Sequence, residues 1–167
     1  EANENAVKAA RLFTGRQKIL SRYRSYHGAT HVGMQMTGDP RRLPNEPGAP
    51  GFIRVMDPIP YDFSFGDTDA ARTENHLRYL EEVITYEGPH TIAAMIIETV
   101  IGTNGILPPP KGWLAGLRAL LDKYGIPPEL VEIEMTEAVF ADEATGVVLR
   151  QLAELGVRLA LDDFGTG

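Results

Sequence analysis

Residues 91–98 read Thr91-Ile92-Ala93-Ala94-Met95-Ile96-Ile97-Glu98, a continuous apolar run of strand length that ends on a carboxylate. A run apolar on both alternations is expected of a strand buried on both faces, which is the pattern of a parallel sheet. Working outward, residues 69–86 keep Leu77, Leu80 and Ile84 at helical spacing and stop at Gly88-Pro89. Beyond a Gly- and Pro-rich stretch from 102 to 110, Trp113, Leu117, Leu120, Leu121 and Tyr124 define a second amphipathic helix closing at Gly125. Leu130–Thr136 and Val157–Leu161 read as further strands, joined by a helix over Ala144–Leu155. Toward the start, residues 3–14 predict a helix stopped by Gly15, Lys18–Tyr23 a strand, Thr30–Thr37 a short helix and Phe52–Met56 a strand. Residues 38–51, rich in Pro and Gly, read as loop. Strands alternating with helices predict an α/β fold: a mostly parallel sheet with flanking helices, in which residues 91–97, 130–135 and 157–161 are expected to be parallel neighbours.

Composition narrows the function classes. Sixteen Lys+Arg against 23 Asp+Glu leave a net charge of −7 over 167 residues, with 43% hydrophobic residues. Such a composition is ordinary for a globular protein, and the chain lacks the basic stripe that would neutralise a nucleic acid or an anionic membrane surface. No apolar run reaches the ~20 residues of a membrane span. Zero cysteines exclude a disulfide framework and thiolate metal ligands, and fit a cytoplasmic setting. Partners are therefore expected to be small molecules. The chain opens on Glu1 rather than Met and closes on Gly165-Thr166-Gly167, which reads as a piece of a longer protein.

In parallel α/β sheets, chemistry gathers where strands end. After the strand that ends near Tyr23 come Ser25-Tyr26-His27-Gly28-Ala29-Thr30. An aromatic, an imidazole and a glycine at such a place can stack on, and closely approach, a flat heteroaromatic ligand. The bland alternative makes Tyr26 a half-buried aromatic, His27 a hydrogen-bonded loop residue and Glu98 an ordinary charge. Farther along, Glu134-Met135-Thr136-Glu137 ends one strand and Asp162-Asp163 ends the next. Carboxylates at adjacent strand ends are the oxygen donors that Mg²⁺ or Mn²⁺ takes, and two such metals can activate water on a phosphodiester. Here the alternative is a solvated acidic edge.

Two resemblances sharpen these readings. Glu1-Ala2-Asn3-Glu4-Asn5-Ala6, the Tyr26–Thr30 run and Ile97-Glu98…Gly102…Gly105…Pro108-Pro109-Pro110-Lys111-Gly112 resemble class III aminotransferases, enzymes of fold type I dependent on pyridoxal phosphate. The resemblance covers about residues 1–125 and is nearest the ω-amino-acid and taurine–pyruvate branch. It implies part of the cofactor-binding large domain, with Tyr26, His27, Gly28 and Glu98 as cofactor-binding residues: Tyr26 stacks on the ring, His27 and Gly28 shape that wall, and Glu98 lies near the ring's phenolic side. It implies a homodimeric parent that moves an amino group from an ω-amino acid or amine to a keto acid. The family's phosphate loop, its aspartate and its Schiff-base lysine are missing from the positions spanned here. Lys8, Lys18, Lys111 and Lys123 stand where the family has no such lysine, so no catalytic residue is assigned and the chain alone is expected to be inactive.

From Pro127, the runs Pro127–Glu137 and Leu155–Gly167 resemble the middle of an EAL domain, a TIM-like barrel that hydrolyses cyclic diguanylate with two metals. That resemblance implies Glu134, Asp162 and Asp163 as ligands to Mg or Mn, within about two of eight βα units. The chain thus reads as a chimera, 1–125 and 126–167, joined where a helix runs through Gly125 into a strand. A fragment of a metal-dependent phosphodiesterase and a non-catalytic α/β protein stand as the alternative functions.

Overall fold

The computed structural model describes residues 1–136 and 143–162. Among these residues ten α-helices and strands follow in order: α1 Ala2–Thr14, β1 Lys18–Arg22, α2 His31–Met36, β2 Phe52–Val55, α3 Asp69–Glu87, β3 Ile92–Met95, α4 Trp113–Lys123, β4 Glu132–Thr136, α5 Glu143–Glu154 and β5 Arg158–Asp162. Residues 38–51 are not loop throughout: Asp39 caps a 3₁₀ helix over Pro40–Asn45 by accepting the Arg41 N–H. The chain forms two compact units, Glu1–Leu117 and Arg118–Gly167.

In the first unit β1 lies between β2 and β3, and all three run parallel. Adjacent residues of a strand point to opposite faces, and β1 is apolar on both. Ile19 packs with Val7 of α1 and Met36 of α2 on one face. Leu20 packs with Val55 and Leu80 on the other, joined by Tyr79, Val83 and Leu117 from α3 and α4. Ile19 and Leu20 are 1% and 0% exposed; burying each fully contributes about 1.5–3 kcal/mol. Helix, sheet and helix therefore form three layers. Helix ends follow the expected chemistry: Thr68 caps α3 by accepting the Ala71 N–H, and Gly15, at φ 68°, closes α1 in the left-handed conformation.

In the second unit β4 and β5 pair in parallel, Glu132 opposite Arg158 through Thr136 opposite Asp162. The expectation that these two strands are parallel neighbours holds. The expectation that 91–97 shares their sheet does not: β3 pairs with β1, and β4–β5 is a separate two-stranded sheet. Residues 92–95 are also only half-buried, because β3 is bonded along one edge only among the described residues. An apolar run specifies a strand but not its neighbour. That choice is made by the helix it packs under, and Leu117 of α4 belongs to the Leu20–Val55–Leu80 core.

Candidate functional site

The carboxyl end of β1 is a polar corner built from four neighbouring residues. Arg22 and Asp57 are each 1% exposed and lie 3.3 Å apart, Nε to Oδ1. Asp57 Oδ2 accepts the Arg24 N–H at 2.7 Å, and Ser25 Oγ donates to the Arg22 carbonyl at 2.6 Å. Burial pushes the Asp57 carboxyl up and the Arg22 guanidinium down, each opposed by the attraction of the other. This corner turns the chain sharply enough to present Tyr26 and His27 beside Glu98.

Glu98 ties that wall together. Its Oε1 accepts the Tyr26 N–H at 2.9 Å, its Oε2 accepts the Gly102 N–H at 2.7 Å, and its carbonyl accepts from Arg22 Nη2. The His27 N–H donates to Thr37 Oγ1 at 3.0 Å, and its carbonyl accepts from Asn3 at 2.8 Å. His27 is 8% exposed, and its ring Nε2 has no partner among the described residues. Burial lowers its pKa and favours the neutral ring, partly offset by Glu98. Gly28, at φ 102°, leaves open space where a side chain would stand. Arg41 lies over one face of the half-buried Tyr26, its guanidinium carbon 3.8 Å from the ring centre. Tyr26, His27 and Gly28 thus share one turn beside Glu98, which carries an aromatic with one face backed, a glycine gap, and a buried ring nitrogen with no partner among the described residues. This fits a flat heteroaromatic group.

Sequence reasoning missed Arg22, Asp57, Asp39 and Arg41. Only Asp39 had a local signal, its Asp-Pro step being a turn former; the others are recruited from distant segments. It also missed His76. This ring is fully buried, its Nδ1 accepts from Trp113 Nε1 at 2.9 Å, and its Nε2 therefore carries the proton toward the Met56 carbonyl at 2.9 Å.

In the second unit Glu134 is exposed on β4. It stands opposite Ala160, while Asp162 stands opposite Thr136, two register positions farther along. Asp163 lies outside the described residues. Among the described residues, no group of three or more His, Asp or Glu side chains is placed to hold a metal ion.

A parallel three-layer α/β domain gathers its polar groups at the carboxyl ends of the strands, where such folds bind ligands. The chain belongs to the class III aminotransferase family, whose model matches residues 1–127. It is 33% identical over 135 residues to gamma-aminobutyrate transaminase 1 of Oryza sativa, covering 75% of this chain and 26% of that one. To the acetylornithine aminotransferase of Corynebacterium efficiens it is 38% identical over 127 residues, covering 75% and 27%. Among solved structures it resembles the taurine:2-oxoglutarate aminotransferase of Bifidobacterium kashiwanohense, in complex with PLP and glutamate, at 45% identity and TM-score 0.70, covering 81% of this chain and 31% of that one. An omega-aminotransferase from Paracoccus denitrificans aligns at 34% identity and TM-score 0.70, covering 80% and 30%. The chain spans about a quarter of the length of the curated relatives it matches.

Proposed function

We propose that residues 1–125 form part of the cofactor-binding domain of a pyridoxal-phosphate-dependent transaminase that moves an amino group from an ω-amino acid or amine to a keto acid. The observation that carries this reading is the Tyr26–Glu98 wall, together with its likeness to a taurine aminotransferase solved with that cofactor. When bound, the cofactor supplies an electron sink for bonds broken at the amine carbon. Tyr26 would lie against its ring. The neutral His27 ring would offer its partnerless Nε2 as a donor or acceptor, and Gly28 would let the ligand approach the backbone. Glu98 would stand near the phenolic edge, its carboxylate held in place by two backbone N–H groups.

Turnover needs more than this wall. Lys18 is bound to Glu87 at 2.8 Å at the start of β1, and Lys8, Lys111 and Lys123 lie on or beside helices away from Tyr26 in sequence. No lysine is therefore assigned to carry the cofactor, and we expect weak, non-covalent binding and no transamination by this chain alone. In the complete enzyme we expect a homodimer in the cytoplasm. The test is a pyridoxal phosphate titration of the purified chain, followed by its visible absorbance and circular dichroism. Saturable binding that Tyr26→Leu weakens supports the reading. Identical binding by wild type and Tyr26→Leu refutes it, and conversion of an amine and pyruvate to alanine above a buffer blank refutes the expectation that this chain alone is inactive.

For residues 126–167 we propose a second reading, favoured by the parallel β4–β5 pairing that puts Glu134 and Asp162 on adjacent strands. As part of an EAL-like segment, Glu134, Asp162 and Asp163 would bind Mg²⁺ or Mn²⁺ weakly and without hydrolysis, since two βα units cannot close a barrel. Thermal unfolding with and without millimolar Mn²⁺ checks this. A stabilisation absent from the Asp162→Asn/Asp163→Asn variant is expected, and an equal shift in that variant refutes it.

A further inference from the structure

We propose that Asp39 and Arg41 form a clamp that sets the tilt of the Tyr26 ring, making Arg41 a positioning residue of the cofactor wall. The inference rests on the Tyr26 reading above.

A hydrogen bond from the Tyr26 N–H to Glu98 fixes the backbone but leaves the two side-chain torsions free. Something must hold the ring, and Arg41 is the group stacked on it. A planar guanidinium over an aromatic face is attracted by the ring quadrupole and sterically limits ring tilt. A surface arginine would ordinarily lose rotamer freedom to do this. Here the loss is already met by neighbours: Arg41 Nε donates to Asp39 Oδ1 and Oδ2 at 3.1 and 2.9 Å, and Nη2 donates to Asp39 Oδ2. Nη2 also donates to Thr103 Oγ1 at 3.0 Å.

The anchor is itself fixed. Asp39 is 5% exposed, caps its own turn through the Arg41 N–H at 2.9 Å, and accepts from Asn104 Nδ2 at 3.3 Å. The Arg41 hydrogen bonds hold its carboxyl below the usual range, so it remains charged in acid. Thr103 and Asn104 directly follow Gly102, whose N–H binds Glu98. The contacts therefore close a circuit, Tyr26 to Glu98 to Gly102 to Thr103 to Arg41 and back to the ring. With one ring face held by Arg41, the opposite face is the one left for a flat ligand.

Two readouts on the full chain test this. In wild type labelled with ¹⁵N, the Arg41 side-chain N–H protons should be shifted upfield by the ring, and the shift should vanish in Tyr26→Leu and in Asp39→Asn. In pyridoxal phosphate titrations, Arg41→Gln and Asp39→Asn should each weaken binding about two- to fivefold, the scale of one exposed cation–π contact. The double variant should lose no more than either single one, and Arg41→Lys should not restore binding because it lacks the planar fork. If Tyr26→Leu weakens binding while Arg41→Gln and Asp39→Asn bind as wild type does, the clamp is refuted and the ring reading stands. If Tyr26→Leu binds as wild type does, the ring reading fails and takes the clamp with it. Asp39 is buried and its replacement risks the fold. Arg41 is half-exposed, so Arg41→Gln, with its circular dichroism compared to wild type, decides the matter alone.

Discussion

His76 should make the first unit lose stability in mild acid, by an amount the structure lets us work out. The ring is fully buried between Phe65, Tyr79 and Trp113, and burial pushes its pKa from 6.5 down to about 4. The Met56 carbonyl opposes that shift but does not cancel it. The folded state therefore prefers the neutral ring, and between pH 6.5 and 4 the unfolded chain binds more protons. Stability is full above about pH 6.5 and is lost as pH falls toward 4. The whole effect is about 3 kcal/mol, of which about 2 kcal/mol is lost between pH 7.5 and 5.0. Protonation would also set an N–H at Nδ1 against the indole N–H that now donates to it. Trp113 is the single tryptophan of the sequence and is fully buried, so its fluorescence reports unfolding of this core. Urea melts at the two pH values should differ by about 1 M in midpoint, given a denaturant slope of about 2 kcal/mol per M. The His76→Gln variant keeps a donor and an acceptor without a titrating ring, and should lack this component. Equal pH dependence in wild type and His76→Gln would refute the reasoning.

Three further outcomes are expected. Asp57→Ala leaves the buried Arg22 charge without its ion-pair partner and should cost about 3–5 kcal/mol in urea melts, with Asp57→Asn milder. A side chain at Gly38 would meet the Arg22 and Tyr23 carbonyl oxygens at 2.2 and 2.3 Å, so Gly38→Ala should destabilise by at least the ~1–3 kcal/mol of an overpacked core, read by the same melts. Gly125 has φ 65° with nothing within 4 Å of an added Cβ, so Gly125→Ala should cost only about 1 kcal/mol of backbone strain, seen as a small drop in melting temperature.

The five helices α1 to α5 and the five strands of the described residues were legible from local apolar patterns and from Gly and Pro stop signals. Ile19 and Leu20 mark a doubly covered strand, and Gly15, Gly88 and Gly125 end their helices where the chain must turn left-handed. The neighbour of β3 was not legible, since pairing depends on which core Leu117 joins. The wall residues Tyr26, His27, Gly28 and Glu98 were legible as a resemblance. Their support was not. Arg22–Asp57 and Arg41–Thr103 join residues 35 and 62 positions apart, and charged residues read one at a time look like surface. His76 had no sequence signal either, because a lone histidine within an amphipathic helix declares neither its burial nor its indole partner.

Glu98 has a consequence for how this wall can change over time. Tyr26 and Glu98 are 72 positions apart along the chain, yet a single 2.9 Å bond sets their spacing. Within the same side chain the second oxygen sets Gly102. Positional error thus does not accumulate along the intervening loops, and the outer part of the loop after β2, residues 60–64, lies beyond the hydrogen bonds by which Asp57 and Ile59 hold the corner and Glu98 holds the wall. Lengthening that loop by a few residues costs little closure entropy, which grows only logarithmically with length. Families that share the wall can therefore drift in the length and composition of that loop, where Tyr61 and Phe63 are already exposed, while the cofactor face keeps its dimensions.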